Sequence, residues 1–158
     1  MKKIILISFL VLLTLAAKLE TKGHYIENFI TLEGTTLTFE QELEPLLGAI
    51  IQVETRGENI SGDNGAAAGI LQIHKIQVDE VNRILKLENK PERFTYKDRW
   101  NQKKSKEMFF ITTKYWNEED NYEFENVARC WNGGPTGDQK KATLNYWKKV
   151  QIELLANK

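Results

Sequence analysis

One carboxylate in the chain is singled out by its spacing. Glu54 follows Leu47, Ile50 and Ile51 at intervals of seven, four and three residues, so on a helix it shares the face of three apolar side chains. Desolvation on that face favours the neutral acid and raises its pKa. A general acid needs that shift to protonate a leaving group near neutral pH. The ordinary alternative is a solvated or ion-paired residue at a helix end, with Arg56 and Arg83 as partners. Downstream lies Gly69-Ile70-Leu71-Gln72-Ile73, preceded by Gly62-Asp63-Asn64-Gly65. Gly69 would let backbone approach a ligand closely, and Gln72 offers both donors and an acceptor to a sugar acetamido or hydroxyl group. Ile70, Leu71 and Ile73 read equally well as core.

The remaining reactive residue types point to less. Asp63 is the best second carboxylate, although an Asx-turn residue holding its loop is the favoured reading; Glu58, just past the helix end, reads as solvent-facing. Cys130 is the single cysteine, read as a free, partly buried thiol with no histidine beside it for nucleophilic chemistry. His24 and His74 lack the spacing of a zinc site, so no metal and no cofactor is expected. The lysine runs at 103–106, 140–141 and 148–149 read as solvated helix faces that could also touch acidic wall polymers. Trp100, Trp116 and Trp147 read as core or cleft wall.

The elements that must position Glu54 and Gln72 are helical. Leu43, Leu46, Leu47, Ile50, Ile51 and Val53 predict a helix from Phe39 to about Arg56, with Pro45 in its first turn and Gly57 ending it. Residues 58–68 are rich in Gly, Asn, Asp and Ser and predict a loop or small β-hairpin. Further helices are expected around 76–87 and 108–116, then a short one over 123–131, closed by Gly133, Gly134 and Pro135, and a last one over 139–155. The expected fold is mainly α, in three segments: a signal peptide at 1–17, an N-terminal arm at 18–38 and a single domain at 39–158.

Four segments in register carry a family resemblance. Glu54-Thr55, Gly69 to Gln72, Ala128 to Gly133 with Trp131 and Asn132, and Ala142 to Trp147 with Tyr146 together resemble the soluble lytic transglycosylases, with goose-type lysozymes alongside. The resemblance implies a lysozyme-like fold and cleavage of the β-1,4 bond between N-acetylmuramic acid and N-acetylglucosamine. It implies Glu54 as the catalytic acid, and Thr55, Gly69, Gln72, Trp131, Asn132 and Tyr146 as substrate-binding residues. Thr55 stands where the family has Ser, and Trp131 where it has Tyr, which keeps a ring for stacking but loses a phenolic hydroxyl.

Most glycosidases use two carboxylates. The place of the partner Asp in the similar segment of animal C-type lysozymes is Ala67 here, so a retaining nucleophile is missing there. Asp63 resembles the water-activating Asp of goose-type lysozymes. The favoured expectation is the lytic route, in which Glu54 acts as acid and then base and the muramoyl 6-hydroxyl closes a 1,6-anhydro ring. Hydrolysis with Asp63 is the alternative. A catalytically silent wall-binding or virion-associated protein with the same fold is the competing class.

The whole chain bounds these readings. It has 158 residues, is 41% hydrophobic and balances 22 basic against 22 acidic residues, which suits one core and removes any overall electrostatic case for nucleic acid. Lys2 and Lys3 precede an apolar run from Ile4 to Ala17 that reads as a secretory signal too short for a stable membrane span. Its removal takes the 22 basic residues to 20 against 22 acidic, net −2. An exported, periplasmic or extracellular monomer is expected, with peptidoglycan glycan strands as partner. With one cysteine it must be held by its core rather than by an internal disulfide.

Overall fold

The computed structural model describes residues 37–91, 93–117 and 122–156; the expected signal peptide and nearly all of the expected arm lie outside them. Residues from Thr38 onward form one compact unit. Helix α1 (Phe39–Thr55) starts from a reciprocal cap. The Gln41 backbone N–H donates to the Thr38 hydroxyl at 3.3 Å, and the Thr38 N–H donates to the Gln41 side chain at 2.9 Å, which satisfies two otherwise unpaired donors. Because the helix begins at Phe39, Pro45 lies inside it, in the second turn rather than the first, where it deprives the Gln41 carbonyl of its usual donor. The helix ends with Arg56 and then Gly57 at φ 58° and 84°, so the left-handed turn starts one residue before the expected glycine.

A three-stranded antiparallel sheet follows in the order β1 (Ser61–Gly62), β2 (Ala67–Ala68), β3 (Ile73–His74). Ser61 pairs with Ala68 and Gly62 with Ala67, while Ala67 and Ala68 pair on their other side with His74 and Ile73. The first two strands are the hairpin expected in 58–68. The third was not legible, because Ile73 and His74 are too short a run to show strand alternation.

Four more helices complete the unit: α2 (Lys75–Leu87), α3 (Gln102–Trp116), α4 (Phe124–Gly133) and α5 (Leu144–Ala156). The last begins later than expected because two single 3₁₀ turns, Gly137–Gln139 and Lys141–Thr143, occupy the approach to it. Helix α1 is central: Leu43, Leu46, Leu47 and Ile50 are fully buried, and it packs against α4 and α5. Phe109 of α3 is also fully buried and meets the Trp131 ring edge to face, with centroids 5.2 Å apart, a geometry that favours the pair beyond simple area burial. The class is therefore mainly α with a small sheet, as the periodicity predicts. Among the described residues no helix is long and apolar enough to cross a membrane.

Arg99, in a 3₁₀ turn at Tyr96–Trp100, ties the sheet to the helices. Its side chain is buried, and it donates to the carbonyls of Tyr96 (2.9 Å), Ala66 (2.8 Å) and Ile73 (3.0 Å). Its own carbonyl accepts from the Ser105 hydroxyl at 2.8 Å. Charge-assisted bonds of this kind contribute about 1.5–3 kcal/mol each, and losing the donor strands buried carbonyls. Replacing Arg99 by Met should lower the unfolding free energy by about 2–4 kcal/mol, measured by urea denaturation; a loss under about 1 kcal/mol would mean water replaces the guanidinium without penalty.

Candidate functional site

The C-terminal turn of α1, the sheet, the start of α2 and the ends of α3 and α4 surround one open cleft of about 440 Å³. Glu54, Asp63, Gln72, His74, Gln77, Trp116, Trp131 and Asn132 all line it. Helix periodicity brings Glu54 to the cleft edge of α1, half-buried. From α5, 92 residues away in sequence, the Tyr146 hydroxyl donates to Glu54 Oε1 at 2.7 Å. Burial raises the Glu54 pKa above the ordinary carboxylate range; the Tyr146 hydrogen bond and the Lys149 charge pull it partly back. The Tyr146 hydroxyl is itself held well above its ordinary value, first by burial and then by the Glu54 charge.

Three of the expected ligand contacts are engaged by the scaffold. The Thr55 hydroxyl is buried and shared between the carbonyls of Ile51 (3.3 Å) and Ile70 (3.0 Å), pinning the 69–73 segment to the end of α1. The Gln72 carboxamide donates to the carbonyls of Ile60 (3.1 Å) and Gly69 (2.9 Å). Its oxygen lies over Gly62, where an added Cβ would come within 1.8 Å of it. Gln72 thus lines the cleft while its nitrogen closes the loop. Gly69 is needed for its φ of 81° and because a Cβ there would meet the Arg99 carbonyl at 1.9 Å. The backbone it admits is the protein's own.

Of the other groups, Asn132, Gln77, Trp131 and Asp63 line the cleft. Asn132, exposed on α4, carries no side-chain hydrogen bond among the described residues. Gln77 uses its oxygen to accept the His74 N–H at 2.7 Å, capping α2, and its nitrogen has no partner among the described residues. Trp131 is buried apart from the part that reaches the cleft. Asp63 sits in a left-handed turn at φ 48°, with its exposed carboxylate 3.6 Å from His74 Nε2. Ala67, opposite His74 in the sheet, is buried. Glu58 is exposed and outside the cleft lining. Cys130 is buried, and burial pushes its thiol pKa up, which makes it a poor nucleophile. Among the described residues no cluster of three acidic, histidine or cysteine side chains could hold a metal ion.

Sequence reasoning missed Arg99 and Gln77 as organisers. Neither belongs to a pattern, because their partners are backbone carbonyls and N–H groups that only the fold brings within reach.

The chain matches no protein-family model and no curated protein. Among solved structures it is similar to a chain in the crystal structure of Aeromonas hydrophila PliI in complex with Meretrix lusoria lysozyme. The TM-score is 0.58 at 20% identity, covering 75% of this chain and 93% of that one. At that identity the likeness reaches the fold alone. The comparison corrects the expected activity: the similar structure is a complex of PliI with a lysozyme, so cleavage of peptidoglycan, by the lytic route or by hydrolysis, is withdrawn.

Glu54 gives the site a pH signature. Its folded-state pKa is raised, so its ionisation costs stability that is retained below the unfolded pKa and lost as pH rises through the folded one. Glu54→Gln should therefore gain on the wild type as pH climbs from acid to neutral. Tyr146→Phe removes a bond that lowers the Glu54 pKa and should move that carboxyl's NMR titration midpoint upward. A downward or absent shift would show that the phenol does not stabilise the ionised form.

Proposed function

We propose that the protein is an exported, non-catalytic binder of N-acetylated amino-sugar strands of the peptidoglycan type, using the cleft at Glu54. The observation that carries this reading is one cleft lined by two tryptophans, Trp116 and Trp131, the Asn132 carboxamide, the Gln77 nitrogen and the Glu54 carboxyl, whose pKa burial raises. Pyranose rings present apolar C–H faces and polar edges, and a few placed polar groups between apolar walls is how small-ligand sites achieve orientation. A Glu54 that holds its proton to higher pH donates to a sugar oxygen through the oxygen that Tyr146 leaves free. Asn132 and Gln77 suit acetamido groups, and Gln72, Thr55 and Gly69 keep the cleft wall in place. The N-terminal run of lysines and apolar residues supports export.

A second reading has its own support: the similar solved structure holds PliI and a lysozyme together, which favours a lysozyme as protein partner of this chain. The two separate in one pair of measurements. Cosedimentation with purified insoluble peptidoglycan should retain the protein, and Asn132→Ala should reduce retention by about three- to tenfold, the loss of one or two modest hydrogen bonds. Protein left in the supernatant, together with coelution with an invertebrate lysozyme in gel filtration, would replace the glycan reading with the second. Muropeptide release from the same pellet should not rise above background.

A further inference from the structure

At the α2–α3 end of the cleft a tryptophan is tied to a carboxylate through its indole N–H. Trp116, the last residue of α3, is half-buried and lines the same cleft as Ile76, a residue 75% exposed. The indole N–H donates to Glu80 Oε1 at 3.2 Å. Glu80 also receives Nε and Nη2 of Arg83, both at 2.7 Å, a bidentate geometry that fixes its plane. Arg83 in turn lies over the Tyr115 ring, 5.2 Å from its centroid. The Arg83 hydrogen bonds are also the main reason the Glu80 carboxyl stays below its ordinary pKa, ionised and able to accept from the indole.

We propose that Trp116 is a preset stacking face for one pyranose ring of the bound glycan, with Glu80 as the residue that positions it. The proposal rests on the glycan-binding reading and names its subsite. Three observations converge on it. The ring lines the cleft, its polar edge is bonded to a carboxylate that is not among the lining residues, and the same cleft is lined by Ile76, which the core leaves exposed. A ring already pinned at its N–H loses little further freedom when a sugar settles on it, so more of the contact energy appears as affinity. The C–H face of a pyranose suits the indole, while the Gln77 nitrogen on the adjacent turn of α2 is placed on the cleft for a ring substituent.

The test is titration of the full chain with a soluble β-1,4-linked N-acetylglucosamine oligomer, read by tryptophan emission and by calorimetry, beside the peptidoglycan sedimentation above. Trp116→Ala should weaken binding about tenfold, the upper range for an aromatic contact. Trp116→Phe, which keeps a ring but loses the N–H bond to Glu80, should weaken binding several-fold, as loss of Glu80 does, and reduce the ligand-induced emission change to the part that Trp131 contributes. Glu80→Ala, which frees the ring but keeps it, should weaken binding several-fold with unchanged circular dichroism, whereas Trp100→Ala, outside the cleft lining, should bind as wild type. Wild-type binding with no loss in Trp116→Ala, or a full emission change surviving in Trp116→Phe, overturns the stacking face and leaves the glycan reading standing. No wild-type binding to either oligomer or peptidoglycan ends both. If Trp116→Ala does not fold, the Phe emission result decides.

Discussion

The cleft depends on a guanidinium buried among carbonyls. Arg99 reaches Ala66 on one side of β2 and Ile73 at the start of β3, so its side chain fastens the strands that form one wall to the turn before α3. The same residue's carbonyl occupies the space a Gly69 Cβ would need and accepts from Ser105. A sheet of two-residue strands has too few ladder bonds to persist alone. It persists here because a charged donor with fixed fork geometry bonds the carbonyls of Ala66 and Ile73 together. Asn59, donating to the Trp100 carbonyl at 2.9 Å, adds a second fastening to the same turn.

With that wall fixed, the polar groups divide into two sets. Thr55, Gln72 and the Tyr146 hydroxyl are used inside the protein, and Asn132, the Gln77 nitrogen and one Glu54 oxygen are turned to the cleft. The division explains how a surface with so much hydrogen-bonding capacity keeps an open shape. Each internal group removes a degree of freedom from the loop or from the carboxyl, and a ligand then meets donors and acceptors whose positions are already set. The raised Glu54 pKa belongs to the same arrangement: burial disfavours its charge, and Tyr146 limits how far.

The family-like segments bear on this in a particular way. Glu54-Thr55 and Gly69 to Gln72 do meet in space, through the Thr55 bond to Ile70. Their meeting builds a scaffold, and the comparison with the PliI–lysozyme complex extends to fold without carrying the expected cleavage. A motif can therefore preserve how a cleft is held without fixing what happens in it.

Local rules in the sequence determined the helices, the approximate end of α1 and the turn-rich hairpin. Apolar periodicity and turn chemistry act over a few residues and survive in any context. They also put Glu54 on a buried face, because Leu47, Ile50 and Ile51 share it. Tertiary structure alone decided the third strand, the hold of Arg99 on Ala66 and Ile73, the reach of Tyr146 across 92 residues to Glu54, and the pinning of Trp116 by Glu80. Each of these joins a side chain to a distant carbonyl, carboxylate or strand edge. Such a partner has no signature of its own in the chain, and it exists only once packing has brought the two together.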